Sequence, residues 1–514
     1  MLSAFMLPSW SLPGYEIVWE CFLLIILIRA GIIAYRLWFH PLKSVPGPRL
    51  AAATSLYLRY HEVIEHGGLT KRLPHLHKLY SEGFQSNVIR IAPNHVHIND
   101  PTGYKMIFGS KPVFRKCGDF FASAQGIHTI VTTDDPRRHR VLRNTASPLF
   151  SSRQMDRSFL IGRSQIKQAA DRMLHSSQGG NPVDLLSYFQ AMMTNIVAKS
   201  LLCSKELVCY DAPKSGWMSV HHFLNQYRWL IADIPGLVRL GLKLLELSPS
   251  WISRVSVGFK DLYEHCRNVR NELLGSRKCH TVLHLDDDAA RNLTNSDLST
   301  LFQQAAIYLL AGTTTAMTLT VACFHILKSP GIRERLQIEL DEFDRRTPGG
   351  LSGSQLDWRE LTRLKYLDAV IKESLRIIPP IPGLLPRVVP MEGMRIGTHL
   401  LPVGTRISAA QFVFHHNETV FPNPGQFDPE RWLKSSSDEL RTMEQYFMPF
   451  SKGSRACIGW QHANIYMFTA LAHLWADFEM TAVENTPEAL DWKDQKGAVP
   501  VTPPLVRLRR KDGI

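Results

Sequence analysis

Residues 450–459 read FSKGSRACIG. A single cysteine, Cys457, stands between Gly453 and Gly459, and Arg455 precedes it by two positions. A cysteine that binds a metal must stay ionised, and the N-terminus of a following helix favours negative charge on its sulfur. Glycines let the backbone pass close to a flat cofactor, and an arginine can pair with a carboxylate on that cofactor. The pattern therefore predicts a thiolate ligand to a cofactor metal.

The same stretch resembles a known family signature. FSKGSRACIG matches the haem-binding motif F-x-x-G-x-R-x-C-x-G of the cytochrome P-450 superfamily at Phe450, Gly453, Arg455, Cys457 and Gly459. The resemblance implies a mainly α fold with small β-sheets, forming a single large haem domain. It also implies haem b as cofactor, with Cys457 as the axial iron ligand and Phe450, Gly453 and Arg455 in the cofactor site. Thiolate donation to iron favours cleavage of the O–O bond.

A charged motif upstream extends the resemblance. Glu373-Ser-Leu-Arg376 lies within an apolar periodicity over residues 361–378, which predicts an amphipathic helix with Glu373 and Arg376 on one side. The pair resembles the family's E-x-x-R motif, and Arg431 within FDPERW resembles its P-E-R segment. The resemblance implies a buried, structural charge network of these three residues.

Haem carries two propionate carboxylates, and their burial requires hydrogen-bond donors. Arg387 resembles the family's strand arginine, and His139 with Arg143 resembles its propionate-binding helix. The resemblance thus adds Arg387, Arg143 and His139 to Arg455 as cofactor-binding residues. The alternative for His139 is an ordinary packed histidine on a helix face.

The long apolar stretch from Leu298 to Leu327 contains AGTTTA at residues 311–316. It resembles the family's oxygen-activation motif A-G-x-D/E-T-T, which implies a catalytic threonine. Aligning the Ala-Gly pair makes Thr315 that threonine, which we favour, whereas counting back from Ser329-Pro330 gives Thr314. Neither alignment leaves a carboxylate in the motif, and a threonine hydroxyl is no acid near neutral pH.

Composition and cysteine spacing limit the kinds of partner and the cellular compartment that we expect. The chain has 514 residues, a net charge of +13 and eight scattered cysteines. Zinc-finger spacing and basic stretches interleaved with aromatics are both missing from the sequence, so we do not expect a nucleic-acid partner. The cysteines lack a disulfide-like spacing, which favours a reducing compartment.

The N-terminus predicts a membrane anchor. Residues 17–37 are mostly apolar and, as a helix, rise about 30 Å, which matches a bilayer core. Basic residues follow this run but do not precede it, which predicts a cytosolic C-terminal side. We therefore divide the chain into an anchor (1–40), a proline-rich hinge (41–50) and a catalytic haem domain (51–514). The hinge resembles that of fungal microsomal members, which implies a single-pass protein of the endoplasmic reticulum membrane.

The resemblance implies insertion of one atom of dioxygen into a lipophilic small molecule, such as a fungal terpenoid or polyketide of secondary metabolism. Electrons would come from NADPH through a separate NADPH-cytochrome reductase, because the chain has no nucleotide-binding fingerprint. The missing acid keeps two alternatives open: a haem-thiolate isomerase or dehydratase that needs no external electrons, and a non-catalytic membrane haem protein that binds a ligand.

Two further groups of residues are predicted from the family's layout. Basic residues near the cysteine loop are candidates for docking an acidic reductase, and aromatic residues before residue 130 are candidates for the substrate pocket. The first group is Arg137, Arg138, Arg140 and Lys452, and the second is Phe114, Phe120 and Phe121.

Overall fold

The computed structural model describes residues 15–81, 87–109, 113–121, 128–201, 295–353, 356–484 and 486–511. Helices dominate this part of the chain, as the sequence predicts. In chain order they are α1 (Tyr15–Ala34), α2 (Arg49–Ala53), α3 (Leu56–Arg59), α4 (Gly68–Ser81), α5 (Pro101–Phe108), α6 (Pro136–Ala146), α7 (Ser152–Ser176), α8 (Leu185–Leu201), α9 (Asn295–Lys328), α10 (Pro330–Arg346), α11 (Trp358–Leu361), α12 (Lys365–Ile377), α13 (Gln411–His415), α14 (Arg431–Lys434), α15 (Ser437–Tyr446) and α16 (Trp460–Asp477).

The strands are short and form small sheets. They are β1 (Val88–Ala92), β2 (His95–Ile98), β3 (Arg115–Lys116), β4 (Val183–Asp184), β5 (Arg387–Val388), β6 (Met394–Ile396), β7 (His399–Leu401), β8 (Arg406–Ser408), β9 (Phe478–Ala482), β10 (Trp492–Asp494), β11 (Ala498–Pro500) and β12 (Leu505–Arg510). The largest sheet has the order β1-β2-β8-β5-β3, and its β2–β8 pair is parallel. The others are β4-β12-β9 and the hairpins β6–β7 and β10–β11.

The core lies where α7, α8, α9 and α16 pack together. The 34 residues of α9 rise about 51 Å at 1.5 Å per residue, so this helix crosses the domain. Its C-terminal half is buried on all sides, with Leu319 and Ala322 fully inaccessible to solvent. This explains why the sequence there is apolar around the whole helix rather than along one stripe.

The amphipathic helix predicted over residues 361–378 is divided in the structure. The segment α11 ends at Leu361, and α12 begins at Lys365. The carboxylate of Glu339 on α10 accepts hydrogen bonds from the backbone N–H groups of Tyr366 and Leu367, at 2.8 and 2.9 Å. A side chain from another helix therefore satisfies two free amides of the first turn, which sequence periodicity does not reveal.

The proline-rich segment after the anchor packs against the body. Leu42 and Val45 are buried in a cluster with strand residues such as Val96. Arg36, just past α1, donates to the carbonyl oxygen of Ala53 at 3.0 Å, and Arg90 donates to the carbonyl oxygen of Arg36 at 3.1 Å. The proline-rich segment 41–50 therefore packs against the sheet.

Candidate functional site

The cysteine loop is fixed by its own backbone. The Cys457 N–H donates to the carbonyl oxygen of Phe450 at 2.9 Å, and α16 begins at Trp460 directly behind the loop. Cys457 is exposed as a residue, yet burial of its thiol raises the pKa. The N–H of Gly459, which donates to the sulfur, and the charge of Arg143 act in the opposite direction. The sequence thus places a single thiol at a helix N-terminus, as the motif predicts.

Gly453 is required for a reason other than the expected close approach of a cofactor. Its φ is +71°, and an added Cβ would lie 2.1 Å from the carbonyl oxygen of Phe108 and 2.4 Å from the backbone of Gly109. Backbone of the α5 terminus, rather than a cofactor, therefore demands a glycine here. Phe450 is likewise half-buried against the main apolar core.

Three predicted arginines lie in or near the loop, one of them, Arg455, within it. Arg143 on α6 donates to the carbonyl oxygen of Ala456 at 2.8 Å, and Arg455 donates to that of Thr133 at 3.0 Å. Arg387 on β5 donates to the carbonyl oxygen of Pro386 at 3.1 Å. Burial lowers the pKa of both Arg387 and Arg455 to about 10.

Lys116 is a fourth cation that the sequence did not reveal. It lies directly opposite Arg387 in the β3–β5 pair, is buried, and donates to the carbonyl oxygen of Val131. Burial, followed by the charges of Arg387 and Arg455, lowers its pKa well below the usual value. Like charges directly opposite each other destabilise a strand pair unless an anion lies between them.

His139 lies in the same group. It is buried on the inner side of α6. Burial and then the charges of Arg455 and Lys116 lower its pKa to about 3, so its imidazole is neutral near pH 7. His139 is thus a packed residue on a helix face that borders the cation group, and its contact with the cofactor stays a prediction.

These cations test the fit of haem to the site. Arg143, Arg387, Arg455 and Lys116 donate to backbone carbonyl oxygens, and none of them pairs with a carboxylate in the described part of the chain. Buried charges normally require a partner of opposite sign. A thiol for iron beside two buried cations, Arg387 and Lys116, and two half-buried ones, Arg143 and Arg455, fits a metal cofactor that carries two carboxylates.

One face of α9 is open. Along its middle, Ala306, Ile307, Leu310, Ala311 and Thr314 are at least partly exposed. They follow the i, i+3, i+4 spacing of a single helix side. We call these five residues the open face of α9. The Thr314 hydroxyl donates to the carbonyl oxygen of Ala311 at 2.9 Å.

Two neighbouring residues of the motif, Thr315 and Gly312, are not part of this open face. Thr315 is buried, with 6% of its surface exposed. Gly312 faces α8, because an added Cβ would come within 3.0 Å of the Met193 Cβ. The glycine therefore permits close packing of α8 and α9.

The Glu373 network is fully buried and highly connected. Arg376 binds both oxygens of Glu373, at 2.8 and 2.9 Å, and the Nε of Arg431 donates to Oε1 at 3.1 Å. Two donors absent from the predicted network complete it: the indole N–H of Trp432 and the backbone N–H of Asp428, each at 2.9 Å. One carboxylate thereby fixes α12 to the segment that leads into α14.

Comparison with known proteins agrees with this geometry. The sequence model of the cytochrome P450 family matches residues 48–507. The chain belongs to the cytochrome P450 family. It is 33% identical to the cytochrome P450 monooxygenase hkm5 of Aspergillus hancockii, over 96% of each chain. It is 32% identical to the cytochrome P450 monooxygenase cloA of Claviceps purpurea, covering 92% of this chain and 91% of the relative.

Membership of the P450 family makes the protein a haem-dependent monooxygenase with a cysteine thiolate ligand to iron. One relative stands apart: a Claviceps fusiformis protein, 30% identical over 90% of each chain, is named an inactive cytochrome P450 monooxygenase. At about 30% identity, the relatives of this chain therefore include a P450 that is named inactive.

In this P450, His462 and Tyr466 of the helix after the cysteine both pack into the core. His462 bonds the hydroxyl of Ser158 at 3.2 Å. Tyr466 lies against Gly162 of α7, where an added Cβ would meet its ring at 2.7 Å. Gly162 on α7 therefore makes room for the Tyr466 ring.

The predicted docking residues differ in their surroundings. Arg137, Arg138 and Arg140 are exposed on α6, a helix without acidic residues. Lys452 is half-buried and donates to the carbonyl oxygens of Glu444 and Gln445. The basic surface of this P450 near the cysteine loop therefore lies mainly on α6.

Proposed function

We propose that this chain inserts one oxygen atom from O₂ into a lipophilic small molecule, using haem b bound through Cys457. The supporting observation is a thiol at a helix N-terminus beside four cations, two of them buried and two half-buried, that donate to backbone carbonyl oxygens rather than to carboxylates. When bound, haem supplies the activation of dioxygen, of which the second atom leaves as water.

The protein's own residues bind and orient the cofactor. Arg143, Arg387, Arg455 and Lys116 would hold its carboxylates by charge-assisted hydrogen bonds, and His139 would add a neutral ring donor at the same edge. Because each guanidinium also donates to a backbone carbonyl, its position is set before the cofactor binds. Removing any one should loosen cofactor binding without removing the thiolate.

We assign the motif's catalytic role to Thr314 rather than Thr315. The open face of α9 includes Thr314, whose hydroxyl hydrogen is engaged by Ala311 and whose lone pairs remain able to accept from water. As an acceptor, this hydroxyl would hold a water molecule, and that water rather than the threonine would pass the proton on. The proton would therefore enter from solvent along this hydroxyl.

The substrate assignment rests on the relatives and the aromatic residues. The relatives are fungal P450 monooxygenases, which supports a substrate of fungal secondary metabolism such as a terpenoid or polyketide. Phe120 and Phe121 are buried beside Lys116 and Arg387, whereas Phe114 packs only partly into a separate cluster. We therefore place Phe120 and Phe121 nearest the substrate.

We place the anchor in the endoplasmic reticulum membrane, with the catalytic domain in the cytosol. The helical stretch Val18–Phe39 has a mean hydropathy of 2.0 and none of it is buried. Beyond it, Leu50, Leu56, Tyr60 and Ile64 expose apolar surface next to the anchor's end. This surface would rest on the same bilayer. NADPH-cytochrome reductase is the proposed electron donor, docked on α6.

One measurement tests the central assignment. The reduced, carbon-monoxide-bound protein should show the red-shifted absorption band of thiolate ligation, and Cys457→Ser should abolish it because a hydroxyl does not replace the thiolate donor. Arg153→Ser, a change at an exposed arginine of α7, should leave the band intact. If Cys457→Ser retained the band, the proposed ligand would be wrong.

A second candidate follows from the absent acid. Residues 303–314 of α9 contain no Asp or Glu, which favours a haem-thiolate isomerase or dehydratase without external electrons. Product formed in microsomes without NADPH or oxygen would support that alternative over a monooxygenase. Haem binding without turnover of any substrate would instead indicate the ligand-binding protein.

A further inference from the structure

Residues 129–133 precede α6 and form a turn that is held by threonine side chains. We call these residues the threonine turn. The Thr129 N–H donates to the Thr132 hydroxyl oxygen at 2.8 Å, and the Thr132 N–H donates to the Thr129 hydroxyl oxygen at 3.1 Å. The Thr133 N–H closes the turn on the carbonyl oxygen of Thr129 at 3.0 Å. Thr129 and Thr132 therefore use their hydroxyls to hold the turn itself.

The long helix α9 fixes the position of the threonine turn. The side-chain oxygen of Gln303 accepts from the His128 N–H at 3.1 Å, and that of Gln304 accepts from the Ile130 N–H at 3.4 Å. Ile130 also packs in one apolar cluster with Leu309 of α9. The backbone of the turn is thus bound to the helix that crosses the domain.

The other side of the threonine turn meets the cofactor edge. The carbonyl oxygen of Val131 accepts from the Lys116 side chain. The carbonyl oxygen of Thr133 accepts from the Arg455 guanidinium at 3.0 Å. Two of the four side chains that would hold the haem carboxylates are therefore positioned by this turn.

The Thr133 hydroxyl is buried and has no hydrogen-bond partner among the residues that the structure describes. The residue is fully inaccessible to solvent, and its N–H and carbonyl groups are both engaged. A buried hydroxyl without a partner costs free energy, so such a group calls for an explanation. Covalent geometry keeps this hydroxyl within about 5 Å of its own carbonyl oxygen, and hence near the Arg455 guanidinium.

We propose that the Thr133 hydroxyl donates a hydrogen bond to the haem carboxylate that Arg455 binds. The inference rests on the proposed function, because it adds a binding residue for the same cofactor. Burial lowers the pKa of Arg455, and the charges of Asp134 and Asp135 act in the opposite direction. Because a hydroxyl is a neutral donor, it adds a hydrogen bond to a carboxylate whatever the balance of these charges.

The test uses the full-length holoprotein and two readouts of the cofactor itself. Thr133→Val replaces the hydroxyl by a methyl group of similar size. Haem transfer from the ferric protein to excess apomyoglobin should become about tenfold faster, the lower end of what a hydrogen bond to a charged group is worth. The resonance Raman band of propionate bending should shift as well. Thr133→Ser keeps the donor and should preserve both properties.

The matched control is Thr320→Val, which removes a fully buried hydroxyl of α9 that donates to the carbonyl oxygen of Ala316 at 2.9 Å. It should change neither haem transfer nor the propionate band.

The opposite result is specific. If the Thr133 hydroxyl had no ligand, Thr133→Val would remove an unpaired polar atom and leave haem transfer unchanged. That outcome would overturn the proposal, and so would faster transfer with an unshifted propionate band, which would assign the effect to packing of the turn. Failure of the haem-thiolate assignment looks different, because the carbon monoxide band would then be absent whichever residue occupies position 133.

Discussion

Thr314 and Thr315 are adjacent in sequence but lie in different environments. Because Thr314 belongs to the open face of α9 and Thr315 is buried, their substitutions should separate the loss of proton delivery from a loss of stability. Thr314→Val should divert more than half of the NADPH consumed into hydrogen peroxide, since the relay hydroxyl is lost. Thr315→Val should leave that ratio unchanged and alter stability by about 1 kcal/mol.

Simultaneous assay of NADPH, peroxide and product measures the diverted fraction. The two variants serve as controls for each other, because each removes one hydroxyl from the same helix turn. Diversion caused by Thr315→Val alone would return the catalytic role to Thr315.

Glu373 is the common acceptor of a buried network. Glu373→Gln keeps the shape but leaves the guanidinium groups of Arg376 and Arg431 buried without a negative charge. We expect a loss of about 3–5 kcal/mol in unfolding free energy, the usual cost of breaking a buried ion pair. Urea denaturation of the holoprotein measures this loss.

The control lies on the same helix. Asp368→Asn removes the partner of Lys372 in a half-exposed pair, where a change of at most about 1 kcal/mol is usual. Equal losses for Glu373→Gln and Asp368→Asn would show that the network contributes little to stability.

The sequence predicts the residues whose chemistry belongs to a local motif and misses those that depend on distant packing. Cys457, Arg143 and Glu373 stand in motifs with fixed spacing. Lys116 does not. It lies opposite Arg387, which is distant in sequence, only because the two-residue strand β3 pairs with β5. The requirement for Gly453 likewise comes from the carbonyl of Phe108, which no local pattern reports.

At the scale of elements, the contact of α7 with α16 depends on a glycine facing a tyrosine. Gly162→Ala would place a methyl group 2.7 Å from the Tyr466 ring, and such overpacking typically costs about 1–3 kcal/mol. In a Tyr466→Leu background the same change should cost little, because the smaller side chain leaves room. The coupling is measured by urea unfolding of the single and double variants.

Gly331→Ala on α10 is the matched control, because an added Cβ there has no neighbour within 4 Å. It should be neutral or stabilising, as Ala favours helix over Gly. Additive effects of Gly162→Ala and Tyr466→Leu would contradict a direct contact between these helices.

The elements themselves follow closely from the sequence where periodicity is strong. The long helix α9 covers the apolar stretch at 298–327, and a helix follows Cys457 as the motif indicates. The start of α12 differs because Glu339 caps it from a neighbouring helix. The orientation of α9 could not be predicted either, since a helix apolar on most sides does not reveal which face is left open.

At the scale of the whole molecule, the net charge of +13 includes a basic surface close to the cysteine loop. The helix α6 exposes Arg137, Arg138 and Arg140, while its Arg143 binds the carbonyl of Ala456 beside Cys457. Docking of an acidic reductase on α6 would thus bring the electron donor next to the iron ligand. Such association is steered by charge and weakened by salt.

The double variant Arg137→Glu with Arg140→Glu should therefore raise the KM for reductase by about tenfold, within the range of electrostatic steering. Arg345→Glu with Arg346→Glu makes the same charge change on the exposed end of α10 and should leave that KM unaltered. The rate of iron reduction at increasing reductase and salt concentrations measures both effects, with the carbon monoxide band confirming an intact site. If the two double variants weakened reduction equally, net charge rather than the α6 surface would govern docking.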